Sequence, residues 1–398
     1  VAGLAESAEG NSVRTPVYLD HQATTPMDPR VLAVWHDTAR EHFGNPGSSG
    51  HAFGWAAARL VEMAREQVAA LIGATPPEII FTSGATEADN LALLGAARAA
   101  SGRGRDRLVT SNLEHPAVSQ PLAYLARHEG WRLTIVAAGQ DGLVAPAALE
   151  SAVDVRTLLV SLIAAQNEIG TLQPLAAASV ACRRVGALLH VDAAQAAGYV
   201  ELDVERDGLD LVSLSGHKIH GPKGIGALYV RRRDPRVELQ PLQFGGGQER
   251  ELRPGTLNVP AIAAFGEACR LARLERLAEG ARLASLRDHL WRVLQAALPD
   301  VHLNGHPTRR LPGNLNVSFG GVPPGRLVGA LTGLAVSSGA ACSSGDGQPS
   351  AVLQAIGVSS ALAAASLRLG LGRGTSAAEI DFAADRIIAT VRRLRAEG

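Results

Sequence analysis

Lys218 and Lys223 are the only lysines in the sequence, the rest of its 38 basic residues being arginines. Chemistry that needs a side-chain amine, imine formation above all, therefore has two candidates five positions apart. Thiol chemistry has three: Cys182, Cys269 and Cys342. Their odd number and wide spacing argue against a disulfide framework or a cysteine zinc site, and for a reducing compartment. Cys182 and Cys269 fall among apolar residues of helical periodicity and read as inert. Cys342 stands in Ser337-Ser338-Gly339-Ala340-Ala341-Cys342-Ser343-Ser344-Gly345-Asp346-Gly347, a stretch too small and glycine-rich to pack firmly. It reads as a mobile thiol, with a plain surface thiol as the alternative. A free cysteine titrates near about 8.5, which leaves only about a few per cent thiolate at neutral pH, so a nucleophile here needs a base or a positive field beside it.

Polar residues crowd the ends of the apolar runs. Glu78–Thr82, Arg107–Ser111, Leu133–Ala137, Thr157–Leu162, Leu188–Asp192, Leu209–Ser213 and Gly226–Arg231 are short and β-branched and read as buried strands. Helical periodicity occupies Trp55–Ile72, Glu87–Ala100, Gln173–Val185, Pro260–Ala297 and Ala377–Arg395. Alternation of the two predicts an α/β fold with a mostly parallel central sheet flanked by helices. The pattern changes beyond about residue 262. We expect a large domain over 28–272 and a smaller α+β domain made from 1–27 and 273–398. Ligands collect at the carboxyl ends of parallel strands. There stand Ser83-Gly84-Ala85-Thr86-Glu87, Asn112-Leu113-Glu114-His115, Gln166-Asn167-Glu168, Asp192 with Gln195, and Ser215-Gly216-His217-Lys218.

Several chemistries lose their usual support. Neither lysine is followed by Ser or Thr as a P-loop requires, no G-x-G-x-x-G opens a helix after a strand, and no G-x-S-x-G elbow occurs. His217, His220 and Asp192 lack the spacing of a metal site, so no metal is expected. A lysine, a strand-end acid and a hydroxyl-rich turn opening a helix together fit pyridoxal phosphate. Asp192 would face the protonated pyridine nitrogen, an attraction of about 4 kcal/mol at about 4 Å and an effective dielectric near 20. The turn at Ser83–Thr86, with Ser215 and His217, would donate to the phosphate. Lys218 is then free for the imine. Taken singly, Asp192 could instead cap a helix or pair with a cation, His115 could merely end a strand, and Arg368 could lie on a solvated face.

The chain resembles the class V branch of the fold-type I pyridoxal-phosphate transferases, and within it the NifS/IscS-like cysteine desulfurases. The landmarks are Tyr18-Leu19-Asp20, Ala23-Thr24-Thr25-Pro26, Gly44-Asn45-Pro46, Thr82–Glu87, Asn167–Gly170, His190–Gln195, Ser213–Lys218, Gly245–Arg250, Ser337–Ser344 and Ser366-Leu367-Arg368, in that order along nearly the whole chain. The resemblance implies that Lys218 holds the cofactor and moves the α-proton, that Asp192 pairs with the ring nitrogen, and that Gln195 bonds its phenolic oxygen. It implies that His115 stacks on the ring and assists proton transfer. Ala85, Thr86, Ser215 and His217 would bind the phosphate, and Thr256 would reach the phosphate of the other subunit in a homodimer. Asn167 and Arg368 would orient the substrate, the guanidinium gripping its carboxylate. Cys342 would attack the sulfur of L-cysteine, leaving alanine and a persulfide for a protein acceptor in an iron-sulfur cluster or thiolation pathway.

His21-Gln22, Pro116 and Pro254 depart from the family pattern and are expected to tune loops. The chain ends soon after Arg368, at Gly398, which counts against docking of an iron-sulfur scaffold. A formal charge of zero offers no field toward nucleic acid or an anionic membrane. No apolar run approaches a membrane span and the first residues lack a signal-peptide core, so a cytoplasmic enzyme is expected. Two other readings stay open: a related lyase or aminotransferase, such as a selenocysteine or cystine lyase, with Cys342 as an accessory, and a cofactor-binding protein without catalysis.

Overall fold

A strand can be apolar on both faces only where both faces of its sheet are covered, and the central strands of this protein are buried along nearly their whole length. The computed structural model describes residues 13–102, 104–338 and 350–397. Its elements run β1 (Val17–Tyr18), α1 (Pro29–Glu41), α2 (Ala52–Leu71), β2 (Ile79–Thr82), α3 (Ala85–Ala99), β3 (Arg107–Ser111), α4 (Pro116–His128), β4 (Arg132–Val136), α5 (Pro146–Ala152), β5 (Thr157–Ile163), α6 (Leu175–Val185), β6 (Leu188–Asp192), β7 (Leu211–Ser215) and β8 (Gly226–Val230). After these come α7 (Val259–Ala297), β9 (Val301–Leu303), β10 (Asn314–Phe319), α8 (Leu327–Ala330), β11 (Leu334–Ala335), α9 (Ala351–Ala355), α10 (Ser360–Ala364), β12 (Ser366–Gly370) and α11 (Ala377–Glu397).

The seven-stranded sheet has the order β2-β8-β7-β6-β5-β3-β4. Only β8 runs against its neighbours, so the carboxyl ends of β2, β3, β5, β6 and β7 all open on one side. Register brings Ile163, Asp192 and Ser213 abreast across β5, β6 and β7. The expected strands recur with local shifts. β7 begins two residues later than its apolar run, which carries it to Ser215 and the lysine turn. The run Leu133–Ala137 becomes the edge strand β4, largely exposed because it has a neighbour on one side only. Helices α1, α4 and α5 lie outside the segments of clear periodicity. Each opens on a proline, Pro29, Pro116 or Pro146, whose fixed φ suits the first helical turn.

One hydrophobic cluster packs α2, α6 and the first half of α7 against one face of the sheet, and another packs α3 and α4 against the opposite face. A further cluster joins Val17 and Leu19 to Leu283, Leu290 and Leu294 of α7, to β10 and β12, and to α11. The N-terminal segment passes from that cluster to the sheet and is stitched there. The Thr25 N–H and hydroxyl both donate to the His217 carbonyl, at 3.0 and 2.8 Å, and the Thr25 hydroxyl accepts from the His220 N–H at 2.9 Å.

Beyond β8, Glu249, Arg250 and Glu251 take left-handed backbone conformations, with φ of 43°, 57° and 66°, which side-chain-bearing residues adopt only against a steric cost. A buried ion pair holds them there. Arg65 donates to both Glu249 carboxylate oxygens at 3.0 and 2.7 Å, and the Phe81 N–H donates to the same group at 2.7 Å. Removing one partner leaves the other charge buried without compensation. Arg65→Ala is therefore expected to lower stability by about 3–5 kcal/mol, read from the shift of the urea unfolding transition.

Candidate active site

The functional side chains are delivered by the ends of several elements. Gly84 turns the chain out of β2 into α3 with φ of 153°, in the region that glycine tolerates best. A Cβ on neighbouring Gly226 would lie 2.7 Å from the Gly84 Cα, so β8 needs a glycine there to pack. No side chain caps α3. Its first amides, at Ala85, Thr86 and Glu87, have no partner within the helix and open on a cavity of about 540 Å³. Ser215, His217 and Lys218 enter the same cavity from the end of β7, Asp192 and Gln195 from β6, Asn167 from β5 and His115 from the head of α4.

Lys218 Nζ donates to the carbonyls of Gln22 and, at 2.8 Å, Ala23. Gln195 Nε2 donates to the same Gln22 carbonyl at 2.8 Å, so the N-terminal segment orients both side chains. His217 Nδ1 lies 3.1 Å from the Thr24 hydroxyl, and burial, with Lys218 and Lys223 nearby, depresses it to about 4, which keeps it neutral. His115 caps α4: its Nδ1 accepts from the Ala117 N–H at 3.1 Å. Burial, with the Lys218 charge and against that of Asp192, lowers its pKa. A neutral ring with Nδ1 accepting carries its proton on Nε2.

Asp192 is 4 % exposed and accepts from the Ala194 N–H at 2.9 Å. Burial, reinforced by the charge of Asp89, pushes it up to about 7. Asp192, the uncapped amides of α3 and the hydroxyls of Thr86 and Ser215 line one cavity. That donor set fits a cofactor with a protonated ring nitrogen and a phosphate.

Not every expected residue reaches the cavity wall. Arg368 is 1 % exposed on β12, its guanidinium donating to Asp20 at 2.8 Å and to the Asn167 carbonyl at 3.4 Å, with Nε unpartnered among the described residues. Thr256 is exposed, away from the cavity lining. Cys342 lies outside the described residues. Cys182 and Cys269 are free and buried, and burial raises both thiols, Cys182 to about 12 and Cys269 further, so neither forms a thiolate readily. Sequence pattern does not reveal the roles of Asp20, Asp89 and the Gln22 carbonyl. Asp20 lies within a landmark, whereas Asp89 reads as one more polar helical residue.

Residues 17–382 match the aminotransferase class-V family. The cysteine desulfurase IscS of Pseudomonas aeruginosa is 47% identical over 385 residues, covering 96% of this chain and 94% of that protein. A solved NifS-like protein superposes with a TM-score of 0.87 at 36% identity, covering 95% of this chain and 100% of its own, and the structure of SspA in complex with cysteine does so at 0.77 and 32%, covering 89% and 98%. The chain belongs to the aminotransferase class-V family and, within it, to the cysteine desulfurases, enzymes that depend on pyridoxal phosphate.

Of the two lysines lining the cavity, Lys218 follows the end of β7, beside Ser215 and His217, whereas Lys223 stands in the turn that leads to β8. Lys218→Ala is expected to fold yet to carry no cofactor adduct after borohydride reduction, as measured by intact mass. An adduct retained in the variant would move the attachment to Lys223.

Proposed function

We propose that this cysteine desulfurase converts L-cysteine to L-alanine and holds the sulfur as a persulfide on Cys342 for a protein acceptor. Bound in the cavity, pyridoxal phosphate supplies an electron sink for the bonds around the substrate α-carbon. The observation that carries the reading is the opening of Lys218, Asp192 and the uncapped start of α3 on one cavity.

The chain's own groups divide the work. Ala85 and Thr86 amides with Ser215 and His217 bind the phosphate, Asp192 accepts from the ring nitrogen, and Gln195, its amide already turned by Gln22, holds the phenolic oxygen. Lys218 would hold the cofactor covalently and move the substrate α-proton. His115 faces the cavity with a proton on Nε2, which makes it a donor in its resting state. Asn167 and Arg368 take the substrate carboxylate. Among the described residues Arg368 Nε has no partner, and Asp20 and the Asn167 carbonyl take only two of the five guanidinium N–H groups, so donors remain for a carboxylate. The Cys342 thiolate attacks the substrate sulfur. The S–S bond would form as the substrate C–S bond breaks, with the electron pair left at the substrate β-carbon, whose protonation would give alanine.

Thr256 is assigned to the phosphate site of a second subunit, in keeping with its exposure and with the clamped backbone that precedes it. Residues 28–272 are assigned to a large cofactor-binding domain, and 1–27 with 273–398 to a small one, α7 passing from one hydrophobic cluster to the other. No described helix is long and apolar enough to cross a membrane, and the two free, buried thiols are in keeping with the reducing cytoplasm.

Cys342→Ser replaces a thiolate-forming group with a hydroxyl that stays protonated. The variant is expected to bind L-cysteine and change its visible spectrum, yet to release almost no sulfide or alanine and to show no persulfide mass. Turnover near the wild-type rate with dithiothreitol present would reject the persulfide route and favour a lyase with an accessory cysteine. Sedimentation is expected to return a dimer; a fully active monomer with bound cofactor would remove the role given to Thr256.

A further inference from the structure

Asp89 is a buried acid that the reaction described above does not use. It lies in the second turn of α3, 1 % exposed, and lines the cavity that also holds Asp192. Among the described residues neither of its carboxyl oxygens has a hydrogen-bond partner. Its near neighbours are His190 Nε2, at 3.4 Å, and the Ser213 hydroxyl, which favours the ionised acid without completing a bond.

His190 precedes Asp192 by two positions on β6, so both side chains leave the same face of the strand. Its ring is held at both nitrogens, by the Ser161 hydroxyl at 2.8 Å and the Ser213 hydroxyl at 3.1 Å. Burial depresses it to about 4, so it brings no positive charge to either acid. The other titratable groups around the cavity are Glu87, paired with Arg253, His115, His217, Lys218 and Lys223, with Glu114 buried behind, pushed up to about 8 chiefly by burial. Burial pushes Asp89 itself up to about 7. Two carboxyls in one dry pocket raise each other's proton affinity, and a cation bound by either relieves both.

Resting on the reading that Asp192 pairs with the ring nitrogen, we propose that Asp89 is a positioning residue for that pair: a second carboxyl whose negative charge keeps the cofactor ring protonated to higher pH than Asp192 alone would. Asp89 needs no contact with the ring for this, since its charge acts through the low-dielectric wall it shares with Asp192.

The test uses holoenzyme reconstituted with cofactor isotopically labelled at the ring nitrogen, whose magnetic resonance shift reports protonation directly. Asp89→Asn keeps the shape and removes the charge. The pH at which the ring loses its proton is expected to fall by about one unit, a tenfold loss of proton affinity. Superimposable titrations of variant and wild type would overturn the proposal, even if the variant melts earlier. Should the variant fail to fold or load, the wild-type resonance decides. It should shift a second time in the acid range, where Asp89 takes up its proton beside the ring cation, and a flat trace from neutrality down to the acid limit of folding would overturn the proposal equally. Asp192→Asn separates the two readings: a wild-type ring titration in that variant would remove the pairing itself, whereas an altered one, together with an unaltered Asp89→Asn, would remove only the role of Asp89.

Discussion

A carboxyl group at the buried end of a central strand is the constraint around which the rest of the structure is arranged. Asp192 sits at the end of β6, and its neighbours β5 and β7 bring it Ile163 and Ser213, neither of them a cation. Burial and the nearby charge of Asp89 push its proton affinity up. Such a group is costly to fold around. Its cost would be offset by a ligand that brings a positive charge to the place where the carboxylate stands.

Another part of the cavity wall is built from backbone. α3 begins without a side-chain cap, so its first amides remain available to an anion, and the helix dipole adds to their attraction. Gly84 and Gly226 make this possible, the one by its φ and the other by allowing β8 to lie against the turn. Asp192 and these amides line the same cavity. Lys218 enters at the side, held by carbonyls of the N-terminal segment, which Thr25 ties back to the lysine turn.

That segment also joins the two halves of the reaction. Asp20 meets Arg368 at 2.8 Å, while Tyr18 donates to the Thr24 carbonyl at 2.8 Å. The residues that orient the lysine and the residue assigned to the substrate carboxylate are therefore linked through a few consecutive positions.

Much of this was legible from the sequence. Strands that alternate with helices specify a mainly parallel sheet, because parallel strands need crossovers and apolar runs need cover on both faces. Polar residues at the strand ends mark the site for the same reason. The isolation of Lys218 and Lys223 in a lysine-poor chain narrows the imine to two candidates, and the ordered landmarks identify the family. What the sequence could not decide depends on contacts between distant segments. Proline-led α1, α4 and α5 carry weak periodicity, and the exposure of β4 follows from its edge position, which no local pattern encodes. The tautomer of His115 depends on its capping of α4, and the burial of Arg368 on its meeting with Asp20. Asp89 shows the limit most clearly. In the sequence it is one polar residue in a helix, and it becomes an electrostatic partner of Asp192 only because α3 packs its second turn against β6 and β7, where water is excluded and two acids separated by more than a hundred positions share one dielectric.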